Sequence, residues 1–450
     1  MSSLFRFRRK NPGQVIAWST YDFANSAFAT TILAVIFSKY YAGVVAGGAE
    51  GVKLFGTKIP GATMFTIFVA AGMIAIALAT PILAALSDLG RLKRRMLTMH
   101  VIIGALATFA LSGISEGDWL IGGLIFVVAQ FGFAGGNAFY NAMIYNIAEP
   151  EDFGKVSSIG WAWGYIGGGL LLFLNLVMLK FPQSLGFPED FFTVHDCFIS
   201  VAVWWVLFSL PLLTTFKESG ASGKAFKTSL SQATRSLHDN LRRLRTLPHY
   251  ARFFFAYLLY NDGIETVIIM AAIFGDQELG MDSSQLIAFF LMIQAVAFFG
   301  ALLFGVLVDK FGNRRSLLIS LAVWMLISVW GWRIGLFGNA IAEYWILGAV
   351  TAVVMGGSQA ASRSLQAMLI PPARSAEFFS FFAISGKFAG AVGPLIFGAA
   401  VFITGSLRAG ILSLIAFFLF GFLILLTVNE REGRRQALAF DHYMTPESDE

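Results

Sequence analysis

Apolar residues run through this chain in long blocks, not in the short periods of a water-facing fold. The blocks near 15–40, 62–86, 96–114, 119–148, 157–179 and 197–216 each approach the roughly 20 residues needed to cross a hydrocarbon core. A second set follows near 251–274, 284–308, 316–334, 341–370, 379–402 and 409–428. The pattern predicts an all-α membrane protein of twelve spans in two sets of six, with both termini on one side. The interval 217–250 is the long polar stretch between the sets and reads as a loop carrying one short amphipathic helix. The chain thus divides into a six-helix bundle over 1–216, a central loop over 217–250, a second bundle over 251–428 and a tail over 429–450.

Certain spans break the apolar pattern at helical spacing. In span one, "WSTYDFANSAFATTIL" places Asp22, Ser26 and Thr30 on one stripe, with Asn25 beside it. Span four carries Asn137, Asn141 and Tyr145 on a stripe, with Tyr140 adjacent. In span seven, "YNDGIET" supplies Asp262, Glu265 and Thr266, and Asn261 lies one step around. Span ten carries Gln359, Ser362, Arg363 and Gln366 at i, i+3, i+4 and i+7. Elsewhere the polar exceptions are Lys387 in span eleven and Trp161, Trp163 and Tyr165 in span five. A single polar residue in a span usually completes an inter-helix hydrogen bond. Four stripes on every third helix are better explained by one shared, water-accessible cavity.

The two halves also repeat. "SDLGRLKRR" at 87–95 follows span two, and "VDKFGNRR" at 308–315 follows span eight. "AEPEDFGKVSSIGWAWGYIGGG" opens span five, and "IPPARSAEFFSFFAISGKFAG" opens span eleven at nearly the same offset. A duplicated six-helix unit is a common ground plan of secondary transporters.

Composition narrows the class. The chain is 57% hydrophobic and 13% charged, whereas a soluble protein carries roughly a quarter charged residues. Its 46 Phe and 46 Gly suit lipid-facing and close-packed helices. The lone Cys197 and the scattered His100, His195, His238, His249 and His442 offer no metal-ligand spacing, so no metal or other cofactor is expected. The net charge of +5 does not point to nucleic acid, because the basic residues sit in short clusters between apolar segments. Those clusters set the orientation. Arg6, Arg8, Arg9, Lys10, Arg91, Lys93, Arg94, Arg95, Lys310, Arg314 and Arg315 all fall on the side of the termini, with further ones in the central loop and tail. The opposite segments hold Lys53, Lys58, Lys180, Arg333 and Arg408. Both tails are therefore expected in the cytoplasm. The start, "MSSLFRFRRKNPG", is basic without the apolar core of a cleavable signal peptide.

The polar stripes on spans one, four, seven and ten resemble the cavity-lining helices of the major facilitator superfamily. The two "D…G…RR" loops resemble its signature after the second and eighth helices. The second copy, Gly305-x-x-x-Asp309-Lys310-x-Gly312-Asn313-Arg314, fits well; the first has Ala84 for Gly, and Gly90 comes one position early. "YDFANSAFAT", "YNDGIETVIIMAAIFG" and "GGSQAASRSLQAMLIPP" resemble the vacuole-effluxer branch, which includes autophagy-related vacuolar amino-acid permeases. The resemblance implies the major facilitator fold and solute movement by alternating access. It makes amino acids or short peptides the favoured substrates, with a proton or another cation as coupling ion. A monomer in a bacterial inner or plasma membrane is expected.

Asp22 and Glu265 are candidates to carry a proton or hold a substrate amine, with Asp262 next in line; the competing reading is a permanent ion pair with Arg363 or Lys387. Arg363 lies too deep to snorkel and suits either a substrate carboxylate or a structural partner. Asp88 and Asp309, beside Arg91 and Arg314, suit a salt-bridged cytoplasmic gate. No nucleophile–base constellation or phosphate loop is visible, which argues against an enzyme and against ATP-driven transport. A sugar–cation symporter and a non-transporting receptor or scaffold remain the alternatives.

Overall fold

The computed structural model describes residues 12–54, 56–218, 234–235 and 244–442. Most of the central loop, including its expected amphipathic helix, lies outside the described residues, as do Arg6, Arg8, Arg9, Lys10 and the last eight residues. Among the described residues, eleven helices are long and apolar enough to cross a membrane. Span eleven, Ser375–Thr404, is a further continuous helix of 30 residues and completes the expected twelve.

The chain forms two compact units. The amino-terminal unit comprises Gly13–Asn146 and Trp163–Ala233. It holds spans one (Pro12–Val45), two (Gly61–Gly90), three (Lys93–Gly113), four (Trp119–Ile147) and six (Val194–Thr215), with most of span five (Pro150–Lys180). Span three packs against spans four and six, and span two against span four. Glycines set the close approaches. A Cβ at Gly167 of span five would overlap the carbonyl oxygen of Phe23 and stand 2.7 Å from its backbone carbon and Cα. Only glycine lets spans one and five meet at that depth. Span one is not a uniform α-helix: Phe28–Val35 and Tyr41–Val45 are π-helical. Each π segment widens the turn by one residue and rotates the stripe beyond it, a feature frequent at functional sites. A hairpin of β1 (Val52–Leu54) and β2 (Thr57–Ile59) joins spans one and two.

The carboxy-terminal unit comprises Ile147–Ala162 and the described residues from Thr234 onward. It contains spans seven (Pro248–Gln277), eight (Ser284–Phe311), nine (Asn313–Trp332), ten (Ala340–Leu369), eleven and twelve (Leu407–Leu425). Span seven packs against spans eleven and twelve, and span ten against spans eight and nine. The first turns of span five also belong here. Gly154 fits against Val308, and the Ser157 hydroxyl donates to the Ala360 carbonyl at 2.7 Å. A boundary drawn at the central loop alone would not show this.

The tail forms a helix, Glu430–His442, that packs on spans seven and ten. It is fastened at both ends. The Glu430 carboxylate accepts the Arg314 backbone N–H at 2.6 Å, and the Asp441 carboxylate accepts the Ala373 N–H at 3.0 Å. The first contact places a negative charge at the start of span nine, where the helix dipole favours it.

Candidate functional site

Within each unit the first and fourth helices meet through polar side chains. In the amino-terminal unit, Asn25 Nδ2 of span one donates to Asn137 Oδ1 of span four at 2.9 Å. Beside them Trp18 stacks on Tyr140, ring centroids 4.5 Å apart, and its indole N–H donates to the Tyr140 carbonyl. In the carboxy-terminal unit, the Tyr260 hydroxyl of span seven bonds the Ser362 hydroxyl of span ten at 2.7 Å. Gln366 of span ten donates to the Phe378 carbonyl at 3.1 Å and to the Tyr250 hydroxyl. Spans one and four are thus joined through the residues that the sequence singles out on them, whereas spans seven and ten meet through Tyr260, which lies on the face of span seven opposite Asp262. Buried polar groups among apolar helices need such partners.

Asp22 and Asn25 are buried, while Ser26, Asn137 and Asn141 are half-buried. Asp22 and Ser26 stand against the glycine stripe of span five: a Cβ at Gly164 would lie 2.7 Å from Ser26 Oγ and 3.5 Å from Asp22 Cβ. Thr30 continues the contact by donating to the Gly168 carbonyl at 3.0 Å.

In the carboxy-terminal unit Asp262 is 3% exposed, whereas Glu265 and Gln359 are half-buried. Asp262 Oδ2 accepts the backbone N–H of Gly393 in span eleven at 2.9 Å. Arg363 is 2% exposed. Its Nε donates to the Ser157 hydroxyl at 3.0 Å and an Nη to the Ser157 carbonyl at 2.7 Å. The guanidinium also lies 5.4 Å from the Trp161 ring centroid, within cation–π range. The planar fork of donors that would suit a carboxylate is thus spent on the first turns of span five. The side chain of Lys387 lies outside the described residues.

The charged loops differ from one another. Asp88 faces Lys93 at 3.8 Å within its own loop. Asp309 instead pairs with Lys155 of span five at 3.2 Å. Arg314 donates to the Leu425 and Leu426 carbonyls at 3.1 and 2.6 Å, closing the end of span twelve. Such carbonyls otherwise lack intrahelical partners. Arg91 is exposed and adopts a left-handed backbone (φ 53°, ψ 55°) where Gly312 stands in the second copy. Gly312 has φ 84° and ψ 163°, a region that essentially only glycine enters. The irregular first motif therefore follows from backbone geometry, since its turn admits a non-glycine residue at moderate strain and the second does not. Beyond these, Glu218 at the end of span six lies close to Asp88 and Lys93, and burial pushes its carboxyl above the usual range while Lys93 pulls it down.

Sequence reading assigned no site role to Ser157, Lys155, Glu218 or Gly393. Gly393–Pro394 inside an apolar run was the one visible signal among them. The others meet their partners only through helix packing.

Two sets of six spans, each with polar side chains meeting between its first and fourth helices, are the arrangement of the major facilitator fold. The proton:xylose symporter XylE shares the fold at TM-score 0.69 over 94% of this chain and 96% of that one, with 15% identity. The human organic anion transporter MFSD10 does so at TM-score 0.66 over 92% and 100%, with 13% identity. More particularly, the chain belongs to the vacuole effluxer Atg22-like family, whose pattern matches residues 10–152 and 144–438. It is 28% identical to an MFS-type transporter of Bacillus subtilis, YxiO, over 92% of this chain and 94% of that one. It is 23% identical to autophagy-related protein 22 of Saccharomyces cerevisiae, over 80% and 76%. It is a multi-pass membrane protein.

Proposed function

We propose that this transporter moves a small zwitterion, an amino acid or short peptide, by proton-coupled alternating access. The observation that supports the reading is the polar contact between the first and fourth helices of each half: Asn25 with Asn137 in one, and Tyr260, on the face of span seven away from Asp262, with Ser362 in the other. Polar residues on the first and fourth helices of each half supply the proposed lining of otherwise apolar bundles. Acidic Asp262 and Glu265 share the carboxy-terminal unit with cationic Arg363, so one half offers both signs that a zwitterion needs. Asp22, Ser26, Tyr140, Asn141, Gln359 and Lys387 complete the proposed path. In the described state Arg363 is engaged by Ser157, so a substrate carboxylate would compete with span five for the guanidinium. Asp88 with Arg91 in one half, and Asp309 with Arg314 in the other, remain proposed gate residues on the side of both termini, proposed as cytoplasmic, with Asp88 facing Lys93 and Asp309 facing Lys155 in the described state.

Purified protein in proteoliposomes tests the function. A panel of labelled amino acids, dipeptides and sugars is offered under pH gradients of either sign. Gradient-driven accumulation of an amino acid or dipeptide, weakened by Arg363→Lys, is expected. Accumulation of sugars alone would overturn the substrate class, and no accumulation of any solute would favour a receptor or scaffold.

A further inference from the structure

The two oxygens of the buried Asp262 carboxyl have different surroundings. Oδ2 takes the Gly393 N–H at 2.9 Å. Oδ1 is buried and has no hydrogen-bond partner among the described residues. The nearby Thr266 hydroxyl does not serve it, because it donates to Asp262's own carbonyl at 2.7 Å. The adjacent face of span seven packs on aromatic rings of span twelve: a Cβ at Gly263 would meet the Phe418 ring at 2.9 Å and Phe417 at 3.2 Å.

Gly393 is an unusual donor. It lies inside span eleven immediately before Pro394, which has no N–H to continue the helix ladder. Prolines are where helices bend. The carboxylate is therefore tied to the backbone of span eleven at its built-in weak point. Close contact is required there: a Cβ at Gly393 would collide with the Thr266 hydroxyl and stand 2.9 Å from Asp262 Oδ1.

An ionised carboxyl with one bare oxygen in an apolar helix bundle is costly. A proton on Oδ1 removes that cost. It also weakens the bond at Oδ2, since charge-assisted hydrogen bonds are roughly twice as strong as neutral ones. We propose that Asp262 is the coupling proton site, that the proton binds at Oδ1, and that the Asp262–Gly393 bond passes its arrival to the Pro394 hinge of span eleven. The proposal rests on the proton-coupled reading above and assigns it a residue and a moving part.

Other charged groups lie on the same and the packed helices, Glu377 with one buried oxygen that has no hydrogen-bond partner among the described residues. Glu265 shares span seven. Span eleven carries Glu377 near its start and Lys387, and Arg408 of span twelve is held by Glu278 at 2.6 Å. In span ten Arg363 is held by Ser157, while Glu343 accepts the Gly335 and Phe337 N–H groups.

The test uses the full chain in lipid and no solute. Infrared difference spectra across a pH titration should show a protonated-carboxyl band that is lost in Asp262→Asn and kept in Glu265→Gln. Hydrogen exchange of the segment after Pro394, corrected for intrinsic rates, should rise as pH falls in the wild type and lose that pH dependence in Asp262→Asn. Gly393→Ala keeps the carboxyl but parts the helices, so exchange there should be fast at every pH, and adding Thr266→Ala should slow it again. A band that survives in Asp262→Asn, or wild-type exchange in Gly393→Ala, would overturn the proposal. If both signatures hold while proton-driven uptake is absent, the transport reading fails and this one stands.

Discussion

Replacing Gly167 by alanine measures how closely spans one and five approach. The added methyl would overlap the Phe23 carbonyl oxygen and press on two further backbone atoms at 2.7 Å. Backbone cannot rotate away as a side chain can, so span one must retreat by roughly 1 Å to regain ordinary contact distances. That shift stretches the Thr30–Gly168 bond (3.0 Å) and the bond from Trp204 Nε1 to the Phe23 carbonyl (3.2 Å). Hydrogen bonds within a bilayer are worth about 0.6 kcal/mol each. Overpacking a close contact adds about 1–3 kcal/mol. The expected loss is about 2–4 kcal/mol, which lowers Tm by about 5–10 °C for a unit of this size. Thermal unfolding in detergent, followed by size-exclusion fluorescence, reads the shift. Gly398→Ala is the control, because nothing lies within 4 Å of a Cβ there. If Gly167→Ala melts with the wild type and the control, the close approach of spans one and five is wrong.

Arg91→Gly should stabilise the protein by about 0.5–1 kcal/mol by relieving the left-handed backbone (φ 53°), while Gly312→Ala should destabilise it by about 1–3 kcal/mol; equal Tm shifts would contradict the backbone account of the two loops. The half-buried Glu218 carboxyl is raised above its usual range, so its contribution is fully present below the unfolded value and is lost as pH rises through the folded one. Glu218→Gln should accordingly melt higher than the wild type at neutral pH and lose that advantage in acid, and a pH-independent difference would refute the assignment. For orientation, cysteines at Ser222 and Ser448 should resist impermeant thiol reagents in intact cells and one at Thr57 should react; labelling of Ser222 from outside would reverse the topology.

What the chain determines alone is what depends on neighbours along it. Solvent decides whether an apolar block spans a bilayer, and helical pitch decides which residues share a face. The spans, the repeat around Asp88 and Asp309, and the stripes through Asn25, Asn137, Asp262 and Arg363 follow from those two facts. The partners across helices do not. Arg363 and Ser157 are 206 residues apart in sequence, and Asp262 and Gly393 are 131 apart. A single sequence carries no periodic signal for such pairs. Tertiary packing alone therefore set the Arg363 fork on span five, sent Arg314 to the carbonyls ending span twelve and widened span one into π turns. It also seated one oxygen of Asp262 on a backbone amide beside Pro394. Those outcomes are fixed by which glycines let which helices touch, and closeness of that kind exists only once the helices are assembled.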